Sequence, residues 1–408
     1  MFSQQTPHPV PGDELVIKIA VIGPGDELYF WWGHIALVID DSLAGRSQFY
    51  DYGIFSFEND NFFHNFAVGR LLYSTGASNA ARNMANYRIK NRSITLYTLN
   101  LPPQTRVKVM EFAENNVLPE NRDYMYHHFR DNCCTRIRDI VDIATDGQFK
   151  ERYGEAPSRF TLREHVRRHT WFSPFVDWIL NFWMGQDIDT PITVWDDMFL
   201  PSEVGKRIEE FSYTGIDGVD RKLVTDMETV FIPEKRHGVL EIPRRQWPRE
   251  LAFSLALSAI FAFFFFLQAK NIRAGRILAG VSMSLAGLVF GVASTLLFFL
   301  NLFTNHDYTY NNINMIYGTP LLLAAFVIGI LYAAANDPRK RVFYDALLRL
   351  IWLACALGIF VSMLIKLFPR YWQQNLTDQL LMLPIALLFS LQPSGLNEVI
   401  DKYFKRKG

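Results

Sequence analysis

The sequence is poor in cysteine, with three in 408 residues, and so few thiols exclude a disulfide-stapled scaffold. It also lacks an excess of charge of either sign, because 41 basic side chains balance 41 acidic ones, which argues against a general nucleic-acid binder. Half of the residues are hydrophobic, which excludes a disordered chain. Residues 1–250 hold 28 basic and 35 acidic side chains, whereas residues 251–408 hold 13 and 6. The neutral chain is therefore the sum of two unlike parts.

Apolar runs dominate the second part and predict a transmembrane domain over residues 251–408. The runs cover residues 251–267, 277–303, 316–335, 350–368 and 380–391. The first four approach or exceed the ~20 apolar residues that a helix needs to cross a bilayer, so we expect them to span it. The fifth run is short and contains Pro384, and a re-entrant or interfacial helix is the alternative for it.

The loops between these runs differ in positive charge, which predicts the orientation of the chain. Basic residues lie in the first loop (Lys270, Arg273, Arg276), the third loop (Arg339, Lys340, Arg341) and the tail KYFKRKG, and the second loop has none. Because basic loops face the cytoplasm, residues 1–250 are expected outside it; Arg244, Arg245 and Arg249, before the first run, argue the other way. The N-terminal tail, residues 1–14, has no basic region followed by an apolar one, so we expect the export signal to have been removed or to lie upstream.

The sequence pattern of the first part predicts an α+β domain over residues 15–160. Apolar, β-branched segments predict strands at residues 15–22, 34–39, 47–52 and 94–99, and helical spacing predicts helices at residues 104–116 and 133–144. Residues 161–230 are interpreted as a helical, aromatic-rich extension of this domain. Residues 231–250, which contain three prolines, are interpreted as a linker to the membrane.

The strongest candidate for chemistry is Cys133. Asp131 and Asn132 are good N-cap residues, so Cys133 is expected in the first turn of a helix, where unpaired N–H groups and the helix dipole stabilise a thiolate. Helical spacing places Cys133 on the apolar face and Cys134 on the wetter side. A buried core cysteine is the alternative for Cys133, and Cys355, inside an apolar run, is interpreted as packing.

A thiol nucleophile needs a base and a third group that orients the base. His34 follows Trp-Trp-Gly at the start of an apolar strand and is the best-placed base, with a structural histidine as the alternative. Asp51, in the neighbouring strand, could hold the other ring nitrogen. Tyr50 and Tyr52 are alternatives, because strand parity is open.

His127 and His128 are rival bases, since they lie close to Cys133 in the chain. We rank them lower because residues five or six positions before a helix rarely face its buried side. These histidines beside two cysteines also suggest a metal site, but no second Cys or His pair has the expected spacing. No metal or cofactor is therefore predicted.

Several segments together resemble the lipoprotein N-acyltransferase family of Bacteroides and its relatives. They are the GPGDE loop within residues 22–29, the Gly33-His34 pair, YDYGIFSF at residues 50–57 and YMYHHFRDNCCTRIRD at residues 124–139. TLR at residues 161–163 and MFLP at residues 198–201 extend the likeness to about residues 20–205. That family resembles circularly permuted papain-like (NlpC/P60-type) enzymes, among them lecithin:retinol acyltransferase, in which a strand histidine precedes a helix cysteine.

The resemblance implies an α+β papain-like extracytoplasmic domain, of the circularly permuted NlpC/P60 type, followed by an all-α transmembrane bundle of about five helices. It implies a multi-pass protein of the bacterial inner membrane with its catalytic domain in the periplasm. The implied reaction moves a fatty acyl chain from a membrane phospholipid, through a thioester on Cys133, to the α-amino group of a lipoprotein's lipidated N-terminal cysteine. His34 matches the base, and Asn132 with the Cys133 N–H would support the oxyanion. The implied partners are the phospholipid, the lipoprotein and the bilayer, without nucleic acid.

Further residues are candidate substrate contacts. Arg136 and Arg138 could meet a phosphate head group. Trp32, which precedes the Gly33-His34 pair, and Tyr52, in YDYGIFSF, are also possible substrate contacts. Residues 171–184 are amphipathic and aromatic enough to lie in the membrane interface, with an ordinary helix packed on the bundle as the alternative. Two other functions stay open at this point: a cysteine peptidase or amidase of the cell envelope, and a non-enzymatic membrane receptor or assembly factor.

Overall fold

The computed structural model describes residues 10–55 and 62–392. The chain folds as two compact units. Unit 1 comprises residues 1–172 and 191–241, and unit 2 comprises residues 173–190 and 242–408. Residues 1–9 of the predicted tail, residues 56 and 57 of the YDYGIFSF segment and the basic tail from residue 393 lie outside the described residues.

Unit 1 combines strands and helices. Its strands are β1 (Leu15–Ile22), β2 (His34–Asp41), β3 (Arg46–Ile54), β4 (Leu72–Asn79), β5 (Ile94–Leu99), β6 (Asp123–Met125), β7 (Ser212–Thr214), β8 (Asp220–Lys222) and β9 (Val224–Phe231). Its helices are α1 (Phe62–Ala67), α2 (Ala80–Ile89), α3 (Pro103–Asn116), α4 (Cys133–Ala144), α5 (Gln148–Tyr153), α6 (Leu162–Thr170), α8 (Val194–Asp197) and α9 (Pro201–Glu210). The helix between α6 and α8, α7 (Pro174–Trp183), belongs to unit 2.

Seven of these strands form one antiparallel sheet in the order β6-β4-β3-β2-β1-β5-β9. The central strands β1 and β2 are apolar along most of their length because both of their faces are covered. Their pairing places Ile22 opposite His34, and the pairing of β2 with β3 places Ala36 opposite Asp51. The predictions of strands at 15–22 and 94–99 and of a helix at 133–144 are confirmed to the residue.

The predicted helical extension is partly wrong, because its C-terminal part is β structure. β7 and β8 form a hairpin, and β9 joins the main sheet beside β5. β9 reads VTDMETVF and is exposed over most of its length, so it lacks the apolar alternation that marks a half-buried strand. Its place is set by backbone hydrogen bonds to β5 at the edge of the sheet, which hydrophobic patterning does not reveal.

Helix α4 is held against the sheet by its apolar face. Ile137 and Val141 are fully buried, together with Ile35 and Leu37 of β2. Burying a side chain of this size contributes roughly 1.5–3 kcal/mol, so four of them anchor the helix firmly. The position of the N-terminal end of α4, where Cys133 lies, is thereby fixed relative to β2.

Unit 2 is helical. Its long helices are α10 (Trp247–Ala269), α11 (Arg273–Phe303) and α13 (Pro338–Ile365), which are long and apolar enough to cross a membrane. Helices α12 (Leu321–Ala334) and α14 (Leu376–Leu391) are apolar but shorter, with 14 and 16 residues. The run predicted at 316–335 contains Gly-Thr-Pro at residues 318–320, so its α-helix begins only at Leu321. Within residues 10–55 and 62–392, three helices thus have spanning length, and the count of five spans stays a prediction.

Helix α7 packs inside unit 2, which corrects its assignment to the extension of the first domain. Trp178 and Phe182 are 5% and 0% exposed and lie in the same core as Phe290 and Tyr317. The Asn181 amide also donates to the buried Asp378 carboxylate at 2.5 Å. The alternative of an ordinary helix packed on the bundle is therefore the one that the structure supports. Cys355 is buried in this core, as its interpretation as packing requires.

Candidate active site

His34 is held at the first position of β2 by the glycine before it. Gly33 has φ +82°, a conformation that L side chains rarely adopt. A Cβ at this position would stand 2.8 Å from the Ile22 carbonyl oxygen on β1. Glycine therefore lets the chain turn sharply into β2 and delivers the imidazole at the end of the strand.

Asp51 is the residue that holds His34, which resolves the alternatives on β3. Its Oδ1 lies 3.0 Å from His34 Nε2, with the two side chains 20% and 13% exposed. The ring N–H does not point straight at the oxygen, so the contact is an ion pair more than a directed hydrogen bond. The Gly53 N–H donates to the same Oδ1 at 2.7 Å and keeps the carboxylate in place. Tyr50 and Tyr52, on either side of Asp51, are buried in the core that includes α4.

Asn132 builds the start of the helix that carries Cys133. Its Oδ1 accepts hydrogen bonds from the N–H groups of Cys134 and Thr135 at 2.8 and 3.0 Å. Thr135 Oγ1 accepts in turn from the Asn132 N–H at 2.9 Å, which completes a capping box. The predicted N-cap is thus confirmed, and Cys133 is the first residue of α4.

The side-chain amide of Asn132 is fully occupied. Its Nδ2 donates to the His128 carbonyl at 2.8 Å and to the Phe199 carbonyl at 3.0 Å. No donor of this side chain is therefore left for an oxyanion. The Cys133 N–H has no acceptor within the described residues, which makes it the available donor at this helix start.

The electrostatics of the site favour a thiolate and imidazolium pair. A hydrogen bond from the Cys134 thiol, whose sulfur is 3.8 Å away, lowers the pKa of Cys133 well below its ordinary value. Burial opposes this effect, and the His34 imidazole, through its charge and a hydrogen bond, lowers the pKa of Cys133 further. Burial works against the charged form of His34, but Asp51 and the Cys133 thiolate raise the pKa of His34 well above its usual range. Each charged group thus stabilises the other.

Cys134 is the more buried of the two thiols, which corrects the expectation that it lies on the wetter side of α4. It is 2% exposed and Cys133 is 9% exposed. The reason is that residues 194–211 cover the flank of α4 that helical spacing assigned to solvent. Arg138, four residues after Cys134, donates to the Trp195 carbonyl at 3.0 Å, and its guanidinium lies 4.0 Å from the centre of the indole ring. Burial raises the pKa of Cys134 well above its ordinary value, so this thiol is a poor nucleophile.

One rival base, His127, and one candidate substrate contact, Arg136, are engaged elsewhere. His127 Nδ1 accepts from the N–H groups of Phe129 and Arg130 and shapes the turn before α4. Arg136 forms a two-pronged salt bridge with Asp131, at 2.6 and 2.9 Å, so its charge is already matched.

Tyr52 is 1% exposed, and its hydroxyl accepts from the Asn116 amide at 3.2 Å. The burial of Tyr52 follows from strand parity, because Tyr52 points into the core on the side of β3 opposite to Asp51. Its contact with substrate stays a prediction. Trp32 is partly exposed and stacks on His169, with ring centres 6.4 Å apart. The contact of Trp32 with substrate stays a prediction.

Sequence reasoning missed two tyrosines beside Cys133. Tyr73, on β4, stacks on Tyr126 with ring centres 4.1 Å apart and planes 19° apart. Burial, followed by the negative charge of the Cys133 thiolate, raises the pKa of Tyr126 well above its ordinary value and that of Tyr73 to about 12. Both hydroxyls therefore stay protonated as potential donors. Tyr126 lies in the YMYHH motif, which the sequence analysis considered. The sequence of β4 contains no pattern that predicts a contact between Tyr73 and this motif.

Arg92 was also missed, although it is a fully buried arginine in the same region. Its Nε donates to the Gly23 carbonyl at 2.9 Å, and its guanidinium lies over the rings of Phe30 and Tyr87 at 4.4 and 5.1 Å. Burial raises the pKa of the Asp51 carboxyl, but His34, the Gly53 N–H and the charge of Arg92 outweigh it and lower that pKa. Arg92 thus favours the ionised form of the carboxylate that holds His34.

A row of aromatic rings leads from the cysteine to an exposed apolar surface. Tyr126 contacts Tyr73, Tyr73 contacts Phe55 at 5.2 Å, and Phe55 contacts Tyr29 at 5.6 Å. Large apolar side chains around the same segments are 42–53% exposed: Leu28, Tyr29, Ile54, Leu72 and Met125. An apolar group can therefore lie along this surface with its end near Cys133. No group of three His, Cys, Asp or Glu residues that could hold a metal ion occurs in residues 10–55 and 62–392.

Comparison with known proteins identifies the domain that carries this site. No curated protein and no solved structure matches the chain. Residues 4–168 match a family model described as the Lnb N-terminal periplasmic domain. The matched range contains His34, Asp51 and Cys133, and the described part of the chain carries three helices of spanning length and composition. This is a membrane protein whose N-terminal domain belongs to the Lnb N-terminal periplasmic domain family.

Proposed function

We propose that this protein is a thiol acyltransferase. It transfers a fatty acyl chain from a membrane phospholipid to the α-amino group of a lipoprotein's lipidated N-terminal cysteine. The observation that carries the proposal is the array of Cys133, His34 and Asp51, in which a thiol at a helix N-terminus meets a histidine held by a carboxylate.

In the first half-reaction, the Cys133 thiolate attacks the carbonyl carbon of the donor ester. The Cys133 N–H stabilises the negative charge that develops on the carbonyl oxygen. His34, as imidazolium, gives its proton to the departing oxygen of the lysophospholipid. The acyl chain is then held as a thioester on Cys133, and His34 is neutral.

In the second half-reaction, the α-amino group of the lipoprotein attacks the thioester. His34 accepts the proton that the amine loses as the amide bond forms, and the thiolate leaves. The pair of thiolate and imidazolium is restored, so the cycle balances in protons and needs no cofactor. Asp51 keeps the imidazole oriented in both steps.

Two features of the chain support a lipid substrate over a soluble peptide. The aromatic row and the exposed apolar side chains around it offer a surface for an acyl chain next to Cys133. The polypeptide that carries this site also carries α10, α11 and α13, which anchor it where phospholipids and lipoproteins reside. The basic loops and the periplasmic family of the N-terminal domain support a multi-pass protein of the inner membrane.

The test is mass spectrometry of lipoprotein N-termini in cells that depend on this protein. We expect Cys133→Ser to abolish N-acylation, because a serine hydroxyl is not ionised by a neighbouring imidazole. Cys355→Ser is the matched control, because it removes a buried thiol outside the proposed chemistry, and it should keep N-acylation. Cys134→Ser keeps a hydroxyl donor beside Cys133, and it should keep N-acylation as well. Unchanged N-acylation with Cys133→Ser would overturn the mechanism.

A second measurement separates this function from the peptidase or amidase alternative. The purified full-length protein is incubated with phospholipid in detergent, without acceptor, and its peptides are analysed. An acyl group bound to Cys133 supports the transferase. Absence of this adduct, together with cleavage of a cell-wall peptide that depends on Cys133, would support the peptidase instead.

A further inference from the structure

Unit 2 contains a cavity that the proposed chemistry does not use. Its volume is about 390 Å³, within the ~300–1,000 Å³ of cavities that hold small ligands. It is lined by residues of α10, α11, α12 and α13 and of the turns that join α10 to α11 and α12 to α13, among them Ile272, Arg273, Arg276, Arg341, Val342 and Asp345. We call this cavity the arginine pocket.

The arginine pocket exists because two helices meet closely at its base. Asn271, with φ +58°, ends α10 in a left-handed turn and sends the chain directly into α11. Gly275 lets α11 start against the end of α10, since a Cβ there would stand 2.5 Å from the Gln268 nitrogen. Arg273 and Arg276 are thereby brought to the end of the helix bundle, beside Arg341 of α13.

The charge of the arginine pocket is strongly positive and unmatched. None of Arg273, Arg276 and Arg341 forms an ion pair with a carboxylate in the part of the chain that the structure describes. The Nε atoms of Arg276 and Arg341 are shielded from water and have no hydrogen-bond acceptor. Leaving such donors without an acceptor is costly, which indicates that an acceptor comes from outside the chain.

The single carboxylate that lines the pocket, Asp345, sets a second requirement for the ligand. Asp345 Oδ2 accepts from Arg349 Nε at 2.7 Å, which matches its charge. Its Oδ1 is buried and has no donor within the described residues. A ligand that satisfies the pocket therefore carries a phosphate for the guanidiniums and also a hydroxyl or ammonium donor for Asp345.

We propose that the arginine pocket binds the head group of an anionic glycerophospholipid, with phosphatidylglycerol as the best fit. Arginine favours phosphate because its guanidinium presents two parallel N–H donors to two oxygens, and basic pockets between membrane helices hold lipid head groups. Ile272 and Val342 line the pocket, and Phe343 next to it is 59% exposed, so acyl chains have apolar side chains to lie on.

By the charge of its two loops, the pocket lies at the cytoplasmic end of the membrane helices. The catalytic domain is periplasmic. The lipid in the arginine pocket is thus a bound partner of the membrane unit, not the acyl donor consumed at Cys133, and the proposal does not depend on the acyltransferase.

Native mass spectrometry of the purified full-length protein in detergent tests the proposal. Phosphatidylglycerol, phosphatidylcholine and soluble glycerol 3-phosphate are added in turn. We expect retention of phosphatidylglycerol by the wild type, and a loss of affinity of about tenfold or more in Arg276→Gln/Arg341→Gln, since this variant lacks two guanidiniums that donate charged hydrogen bonds to the phosphate. Arg370→Gln is the control, because it removes one arginine from the loop before α14, outside the arginine pocket, and it should bind as the wild type does.

The following results would overturn the proposal. Equal retention of phosphatidylglycerol by the wild type and the double variant, or equal retention of phosphatidylcholine, would overturn the proposal. If glycerol 3-phosphate binds as tightly as the lipid, the ligand is a soluble phosphate, and the proposal that it is a membrane lipid is overturned. If the double variant does not fold, Arg276→Lys/Arg341→Lys replaces it. This variant keeps the charge and loses the fork geometry, and it should retain the lipid more weakly than the wild type.

Discussion

Replacement of Asp51 by asparagine probes the charge network of the site with almost no change in side-chain volume. Two unit charges 3.0 Å apart, as Asp51 Oδ1 and His34 Nε2 are, attract by about 5 kcal/mol at an effective dielectric constant of ~20. Both side chains are partly exposed, and screening reduces this to roughly 2–4 kcal/mol. If the attraction stabilises the reactive ion pair, kcat/KM for acyl transfer should fall about 30- to 1,000-fold.

The pH dependence of the same variant has a definite sign. In the wild type, we expect the proposed activity to be lost at acid pH, when the Cys133 thiolate takes up a proton at its lowered pKa, and at alkaline pH, when His34 loses its proton at its raised pKa. Removing the carboxylate takes away an attraction for the imidazolium, so the pKa of His34 falls. The alkaline limb of the rate profile should therefore move to lower pH in Asp51→Asn.

The assay follows transfer to a synthetic peptide with a lipidated N-terminal cysteine, in detergent micelles that contain phospholipid. Alkylation of Cys133 by iodoacetamide, followed by peptide mass spectrometry across pH, reports the thiolate without any substrate. Cys134 in the same protein is the internal control, because burial raises its pKa. Wild-type rates together with an unchanged alkylation profile in Asp51→Asn would refute the reasoning.

Three further predictions concern residues that hold the site. Gly33→Ala should lower the thermal midpoint and acyl transfer together, because a Cβ would meet the Ile22 carbonyl at 2.8 Å and φ is positive; wild-type values for both would contradict this. Asn132→Ala should cost about 1–2 kcal/mol in unfolding free energy through loss of the N-cap, measured by chemical denaturation, whereas Asn132→Asp, which keeps an N-cap oxygen, should cost less. Arg92→Met should lower kcat/KM without lowering the thermal midpoint, since an apolar isostere of a buried charge is often tolerated; a fall in the midpoint with unchanged kcat/KM would show a purely structural role.

The local chemistry of the site was predictable from the sequence where it depends on neighbours in the chain. The N-cap at Asn132, the helix that begins at Cys133 and the strand that begins at His34 follow from capping preference and apolar patterning, and the structure has them at these residues. For the group that orients His34, the sequence left Asp51, Tyr50 and Tyr52 as alternatives. It does not show which residues of a strand face the core, because that depends on what packs on each face of the sheet. The buried positions of the two tyrosines settle that choice.

Contacts between distant segments were not predictable in this way. Cys134 is buried because a segment that begins some sixty residues later folds over α4, and no pattern within α4 records that cover. Tyr73 stacks on Tyr126 because β4 pairs with the short strand β6, and neither strand has apolar alternation in its sequence. Helix α7 was assigned to the wrong unit because an amphipathic aromatic helix packs equally well on a sheet domain or on a bundle.

The sequence by itself determined the two-part nature of the chain, the thiol at a helix start, the histidine on a strand and the apolar helices, since each is a matter of composition or of periodicity along one segment. Only the tertiary structure decided which carboxylate meets His34, which of two adjacent thiols is activated and where three arginines converge. These contacts join residues that lie far apart in the chain. Burial and charge act only between residues that the fold brings close together, so the sequence alone does not show them.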